Sequence, residues 1–372
     1  MPRTINSSIF LLILAFAFSA FAQTPKPTAT PAADDDDGEV IRVDSRLVVV
    51  PVSVTDAAGQ PVLGLKAQDF RILEENKRQE IAQVSDAEKV PLEIAILFDV
   101  SASTDAMFQF EQETAAKFLQ EVMRPEDRAT IFSIGERPNL IQPRDTADKS
   151  AVSVKRIQPT KQFTAFYDTV KAAADYLQKN APQGRRKVIV VISDGEDTNS
   201  EGVRRGFASV YTSLGKEINT ISSEKLRNLL GSKRDEIRTK EQARVLQNLQ
   251  NADAVFYSIN PSGGSLQLNK ISQFGQSNLQ KFADQTGGTA FLPKFQPITL
   301  KDNLQNSYNA KFNQETLTKI FRQLASELQA QYLVQYYSES NFPLDKYVKL
   351  DVGLQNTNNL RVRARQGYFV KN

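Results

Sequence analysis

Asp99-Val100-Ser101-Ala102-Ser103 sets one carboxylate and two hydroxyls on alternate residues, directly after the apolar run Leu92 to Phe98 and directly before an amphipathic stretch. Two more oxygen-rich loops stand beside regular elements. Phe163-Thr164-Ala165-Phe166-Tyr167-Asp168 leads into a helical pattern, and Ile192-Ser193-Asp194-Gly195-Glu196-Asp197 closes another apolar run. Carboxylates and hydroxyls that converge without nitrogen or sulfur donors suit a hard divalent cation. Mg²⁺ takes six oxygens at about 2.0–2.1 Å and keeps several waters, so Asp99, Ser101, Ser103, Thr164 and Asp194 would leave a position for an outside carboxylate. Mn²⁺ or Ca²⁺ would meet the same donors. The plainer alternative is that Ser101 and Ser103 cap the following helix while Asp194 turns its strand.

Composition removes the main competitors. The chain has no histidine, so neither a Ser-His-Asp triad nor a His-based zinc site can be assembled. It has no cysteine, which excludes disulfides, thiol nucleophiles and Cys-based zinc sites. Formal net charge is +3 over 372 residues, which offers no electrostatic case for nucleic acid or an anionic membrane surface. With 40% hydrophobic and 24% charged residues, the composition is that of a globular protein large enough for two domains.

The elements that must position those loops follow from periodicity. Leu92 to Phe98, Ala129 to Ile134, Val188 to Ile192, Ala254 to Ile259 and Thr289 to Leu292 are near-continuously apolar, the pattern of strands buried on both faces. Between them, Ala115, Phe118, Leu119 and Val122 recur at helical spacing, as do Tyr167, Val170, Ala174 and Leu177. The expected fold class is α/β, a doubly wound and mostly parallel sheet over 89–331, and ligands bind such sheets at the carboxyl ends of their strands. Residues 200–252 exceed one crossover helix and read as a helical insertion.

The flanks read differently. Val48, Val50, Val52 and Val54 alternate, with Pro51 suggesting an edge strand. Asp69 to Leu73 and Ile81 to Val84 follow, separated by a Glu-Glu-Asn-Lys turn. At the other end Val348, Leu350, Val352 and Leu354 alternate, and Asn356-Thr357-Asn358-Asn359 would turn them into Leu360 to Arg365 as a hairpin. Too few to stand separately, the strands of 41–88 and 332–372 should join as one β-sandwich-like domain interrupted by the α/β domain.

Residues 1–22 carry Arg3, the apolar run Ile9 to Phe18 and Ala20-Phe21-Ala22, the pattern of a signal peptide cleaved after Ala22. The product would be periplasmic or secreted, with no stable membrane insertion after cleavage. Residues 23–40, with Asp34-Asp35-Asp36-Asp37, read as a linker.

Together the loops DVSAS, FTAFYD and ISDGED, in that order, resemble the metal-ion-dependent adhesion site of von Willebrand factor A domains. The strand-rich flanks, with Gln331 to Tyr337 and Arg361 to Tyr368, further resemble the exported von Willebrand factor A-related proteins of Acidobacteria. The resemblance implies that Ser101, Ser103 and Thr164 contact the metal directly, and Asp99 and Asp194 mainly through water. It departs at the threonine loop, where glycines are common and Gln162-Phe163 stand here. The expected function is therefore a non-enzymatic, Mg²⁺-dependent protein-binding or adhesion module whose site is completed by a partner's Asp or Glu. Two alternatives share the sequence: a structural envelope component with a vestigial site, and a metal-dependent hydrolase with Glu196 or Asp197 as base.

Overall fold

The computed structural model describes residues 45–101, 105–160, 163–215, 220–261, 270–298, 301–356 and 359–371. The signal-peptide and linker expectations, and Ser103, lie outside them. From Asp44 onward the chain forms one compact unit. In chain order its strands are β1 (Arg46–Thr55), β2 (Phe70–Glu74), β3 (Lys77–Gln79), β4 (Ile81–Asp86), β5 (Leu92–Asp99), β6 (Arg128–Ile134), β7 (Pro138–Asp145), β8 (Arg186–Ile192), β9 (Ala254–Ile259), β10 (Ala290–Phe291), β11 (Tyr332–Ser338), β12 (Tyr347–Leu354), β13 (Arg361–Ala364) and β14 (Gly367–Phe369). The helices are α1 (Asp105–Val122), α2 (Ala147–Lys155), α3 (Phe166–Asn180), α4 (Glu201–Leu214), α5 (Ser223–Asn251), α6 (Lys270–Thr286) and α7 (Asn303–Gln329).

A six-stranded sheet, β10-β9-β8-β5-β6-β7, forms the centre. It is parallel except for β7, which pairs antiparallel with β6 at one edge. Every residue of β5 is buried, because helices cover both faces. On one face Phe118 and Leu119 of α1 and Leu317, Phe321 and Leu324 of α7 pack on Ile94, Ile96 and Phe98. On the other, Tyr167 and Val170 of α3, Leu249 of α5 and Leu279 and Phe282 of α6 pack on Ala95, Leu97 and Val191. At about 1.5–3 kcal/mol for each large apolar side chain withdrawn from water, these two layers dominate the stability of the lobe. The doubly wound α/β class expected from the apolar runs is the observed one.

The segment 200–252 consists of α4 and the 29-residue α5. The buried positions of α5, Arg238, Gln242, Val245, Leu249 and Gln250, all lie in its second half, and the first four fall at the spacing of one helix face. That half is the crossover into β9, and α4 packs beside the helix, with Gly206 against Ile237.

The flanks build two four-stranded antiparallel sheets, β13-β1-β11-β4 and β14-β12-β2-β3, whose facing side chains form a third core around Val50, Val52, Phe70, Ile72, Val334 and Val348. This is the β-sandwich-like arrangement expected from the period-two flanks. Three local expectations are corrected. First, β1 lies inside its sheet; Pro51 is nevertheless tolerated because β13 pairs only with Val52 to Thr55, leaving β11 as the sole neighbour at Pro51. Second, β12 and β13 do not form a hairpin. β12 pairs with β2 and β14, while β13 crosses to β1 in the other sheet, because a sandwich needs strands on both layers. Third, the Glu-Glu-Asn-Lys turn, with Glu75 and Asn76 at φ 47° and 65°, connects β2 to the short β3, and β4 then joins the opposite sheet.

Candidate metal centre

Strands β5, β6 and β8 are neighbours and parallel, so the loops that follow them emerge at one edge of the central sheet. Asp99 is the last residue of β5, 8% exposed, and both its oxygens accept hydrogen bonds. Ser101 donates to Oδ1 through its backbone N–H at 3.0 Å and its hydroxyl at 2.6 Å. Ser193, at the end of β8, donates its hydroxyl to Oδ2 at 2.6 Å and accepts the Gly195 N–H at 3.0 Å. The first and third sequence loops are therefore laced together through Asp99.

Thr164 reaches the same edge from a different direction. It is buried, its carbonyl accepts the backbone N–H groups of Thr198 and Asn199 at 2.9 Å, and its own N–H donates to Thr198 Oγ1 at 2.9 Å. Ala165 N–H donates to the carbonyl of Gly135, just past β6, at 2.7 Å. The threonine loop is thus clamped between the end of β6 and the loop after β8. Phe163, immediately before it, is 64% exposed.

The Asp194 loop is fixed from below by α6. Gly195 adopts φ +77°, and a Cβ there would lie 2.4 Å from the carbonyl oxygen of Gly275. Asn278 donates to the Gly195 carbonyl at 2.9 Å, and Ser272 donates to Glu196. Asp194 Oδ1 accepts the Glu196 N–H at 2.9 Å, a short local turn that aims the carboxylate.

The electrostatics of this edge are one-sided. Burial raises the Asp99 carboxyl above the ordinary carboxylate range; hydrogen bonds from Ser101 and Ser193 oppose the rise and the charge of Glu196 adds to it. Asp194 is pushed up to about 7, first by burial and then by the charge of Asp99. The buried Asp99 and the half-buried Asp194 thus stand at the ends of β5 and β8 close enough for the charge of one to act on the other, with no ion pair to either among the described residues. Among the described residues no cluster of three or more His, Cys, Asp or Glu groups exists that could hold a metal. A cation at this edge would therefore take two carboxylates and fill its remaining positions from hydroxyls and water, which is donor chemistry suited to Mg²⁺ rather than to a softer ion.

Of the five candidate ligands, four are described, and Asp99, Ser101 and Asp194 share one loop cluster with Thr164 clamped beside it. Ser103 lies outside the described residues. Sequence reasoning missed the roles of Ser193 and Asn278. Ser193 was visible in ISDGED as a hydroxyl beside the aspartate, whereas nothing in the sequence tied Asn278, 83 residues away, to Gly195. Asp197 is held by local contacts: its oxygens accept from Tyr167 N–H at 3.0 Å, from Ser200 N–H at 3.1 Å and from the Ser200 hydroxyl.

Residues 94–196 match the family model of the von Willebrand factor type A domain, a span that opens within β5, contains all five candidate ligands and closes at Glu196. The chain carries a von Willebrand factor A domain. Solved structures similar to it include proximal thread matrix protein 1 from the mussel byssus with zinc occupying its MIDAS motif, at 12% identity and TM-score 0.42 over 69% of this chain and 50% of that one. BatB from Bacteroides thetaiotaomicron is similar at 13% identity and TM-score 0.33, over 61% of this chain and 99% of that one. The PilB minor pilin from Streptococcus sanguinis is similar at 13% identity and TM-score 0.41, over 64% and 62%. The chain spans about half the length of the byssus protein. No curated protein matches it by sequence. Among the described residues, no helix is long and apolar enough to cross a membrane.

Proposed function

We propose that this von Willebrand factor A domain is a Mg²⁺-dependent protein-binding module, exported by the leader at residues 1–22, in which Asp99, Ser101, Ser103, Thr164 and Asp194 hold the cation. The carrying observation is the uncompensated pair Asp99 and Asp194 at the carboxyl edge of the sheet, the one raised by burial and the other pushed up to about 7. A divalent ion there would supply the missing positive charge and one outward coordination position, with Mn²⁺ or Ca²⁺ as substitutes.

The chain's own residues then divide the work. Ser193 and Ser101 hold the Asp99 carboxylate at a fixed angle. Gly195, seated against α6, keeps Asp194 beside it. The partner's Asp or Glu would complete the site, and the exposed Phe163 ring beside Thr164 would lie within the contact as an aromatic anchor. No bond is broken in this reading. The occupation of both Asp197 oxygens by the N–H groups of Tyr167 and Ser200 and by the Ser200 hydroxyl supports it against a hydrolytic mechanism with Asp197 as base, and leaves Glu196 as the carboxylate such a mechanism would need.

Calorimetric titration of Mg²⁺ and Mn²⁺ into the wild type and into Asp99→Ala/Ser101→Ala tests the assignment, with circular dichroism of both. Saturable binding that the double variant loses, at unchanged secondary structure, is the expected result. Equal binding by both proteins would move the metal elsewhere and end this reading.

A further inference from the structure

The opposite end of the central sheet carries the reverse charge. A cleft of about 450 Å³ opens there between the amino ends of β8 and β9 and the β sandwich, with Leu47, Val49, Leu333 and Phe369 among its apolar walls. That volume falls within the range of small-molecule sites. Six cationic side chains line it, Arg46, Arg185, Arg186, Lys187, Arg365 and Lys371, and Asp253 is the one carboxylate among its lining residues.

The pairing of these cations is incomplete. Arg365 and Lys371 share Asp253, at 3.0 and 2.7 Å, and Arg185 pairs with the buried Glu93 at 2.6 Å. The other three have neutral partners or none. Arg186 donates to the carbonyl of Leu328 at 2.9 Å and to Gln331 Oε1 at 3.4 Å, and Lys187 donates to the carbonyl of Ala252 at 2.7 Å. Arg46 Nη1 is buried without an acceptor. Gln331, 2% exposed, also lines the cleft, and its Nε2 is buried without an acceptor. Burial lowers the Lys187 ammonium, against the opposing charge of Asp253, and brings the Arg186 guanidinium down to about 10, as expected of cations withdrawn from water with no carboxylate in direct contact.

Unsatisfied donors, uncompensated cations and apolar walls in one cleft describe the complement of an amphiphilic anion. We infer that the cleft between the amino ends of β8 and β9 and the β sandwich is a second ligand site, which takes a small molecule with an apolar body and a carboxylate or phosphate head. The head would accept from Arg46 Nη1 and Gln331 Nε2 and lie against Lys187, and the body would cover Leu47, Leu333 and Phe369. A bidentate acceptor suits the guanidinium fork.

The test is calorimetric titration of the full chain with octanoate, octyl phosphate, octanol and inorganic phosphate at fixed ionic strength, repeated on Arg46→Met and on Lys187→Met. The result expected is saturable one-to-one binding of octanoate or octyl phosphate, weakened at least 10-fold in both variants and unchanged in Asp99→Ala. The tighter of the two amphiphiles identifies the head group. Octanol binding as tightly as either anion would overturn the inference, as would no saturable binding of any anion, or wild-type affinity in both variants. Unchanged circular dichroism and Mg²⁺ titration of the variants separate loss of the site from loss of the fold.

Discussion

The two ends of the central sheet are built from the same strands and hold opposite charge. At the carboxyl end, the buried Asp99 and the half-buried Asp194 are carboxylates raised above their ordinary range; at the amino end, Arg46, Arg186 and Lys187 are half-buried cations that form no ion pair among the described residues. Seven residues of β8 separate them, which is about 23 Å at ~3.3 Å per residue, more than two screening lengths at physiological salt. They cannot neutralise each other. Each end pays in stability for a charge that a ligand would compensate, so each should be recognisable by what relieves it.

The largest expected effect breaks the comparison at the carboxyl end by backbone alone. Gly195→Ala puts a methyl group 2.4 Å from the Gly275 carbonyl oxygen at a φ that side chains rarely adopt, so α6 must shift. A loss of about 3 kcal/mol is expected in urea unfolding, together with loss of Mg²⁺ binding and no change at the amino-end cleft. Wild-type stability would mean that α6 does not fix the Asp194 loop.

Next in size is the pH dependence of the metal-free protein. The folded-state pKa of Asp194 is about 7 and its unfolded value is that of an ordinary aspartate near 3.9, so between these values the folded state holds the extra proton. Stability contributed by this group is therefore full below about pH 4 and falls as pH rises through 7, by on the order of 2–3 kcal/mol. Saturating Mg²⁺ should flatten the slope over that window, because the cation takes the place of the proton. A metal-free stability that rises from pH 5 to 8 would contradict the charge assignment at this end. Asp194→Asn sharpens the same point. It should stabilise the metal-free chain at pH 8 by about 1–2 kcal/mol while abolishing the stabilisation by Mg²⁺.

The sequence disclosed these two ends unequally. The carboxyl end was legible because its residues cluster in short loops at strand termini: DVSAS and ISDGED each place several oxygens within six positions, and the uniform apolarity of Leu92 to Phe98 and Val188 to Ile192 located the loops on a parallel sheet. The amino-end cleft was not legible, since Arg46, Lys187, Gln331 and Arg365 come from four distant segments and gain meaning only when the sandwich closes on the α/β lobe. Arg361, Arg363 and Arg365 alternate in the pattern of a solvated strand face, yet Arg365 is 11% exposed against Asp253. The same contrast holds for the strands. Period two identified β1, β2 and β12 as strands, but alternation fixes which face of a strand is buried and says nothing about its neighbour, so the β12 and β13 hairpin failed when both layers of the sandwich had to be supplied. The antiparallel β7 escaped notice because, at the sheet edge, Pro138 to Asp145 buries only Gln142 and loses the apolar signature of its neighbours.

The smallest expected effect tests whether the amino end mirrors the carboxyl end in energy as well as in sign. Arg46→Met removes a buried donor that has no acceptor and a charge that forms no ion pair among the described residues, and it keeps an unbranched side chain at the cleft wall. Such a substitution ordinarily costs stability; here it should raise it, by about 0.5–1 kcal/mol at low salt, and the gain should shrink as ionic strength rises. The effect should add to that of Asp194→Asn within about 0.5 kcal/mol, because the two sites are too far apart to couple through a shared contact. Strict additivity would make the sheet a rigid spacer between two independent sites. A larger interaction energy would mean instead that occupation of one end changes the other, and β8, which runs from the cleft to Ser193 and pairs with β5 beside Asp99, would be the element that carries the change.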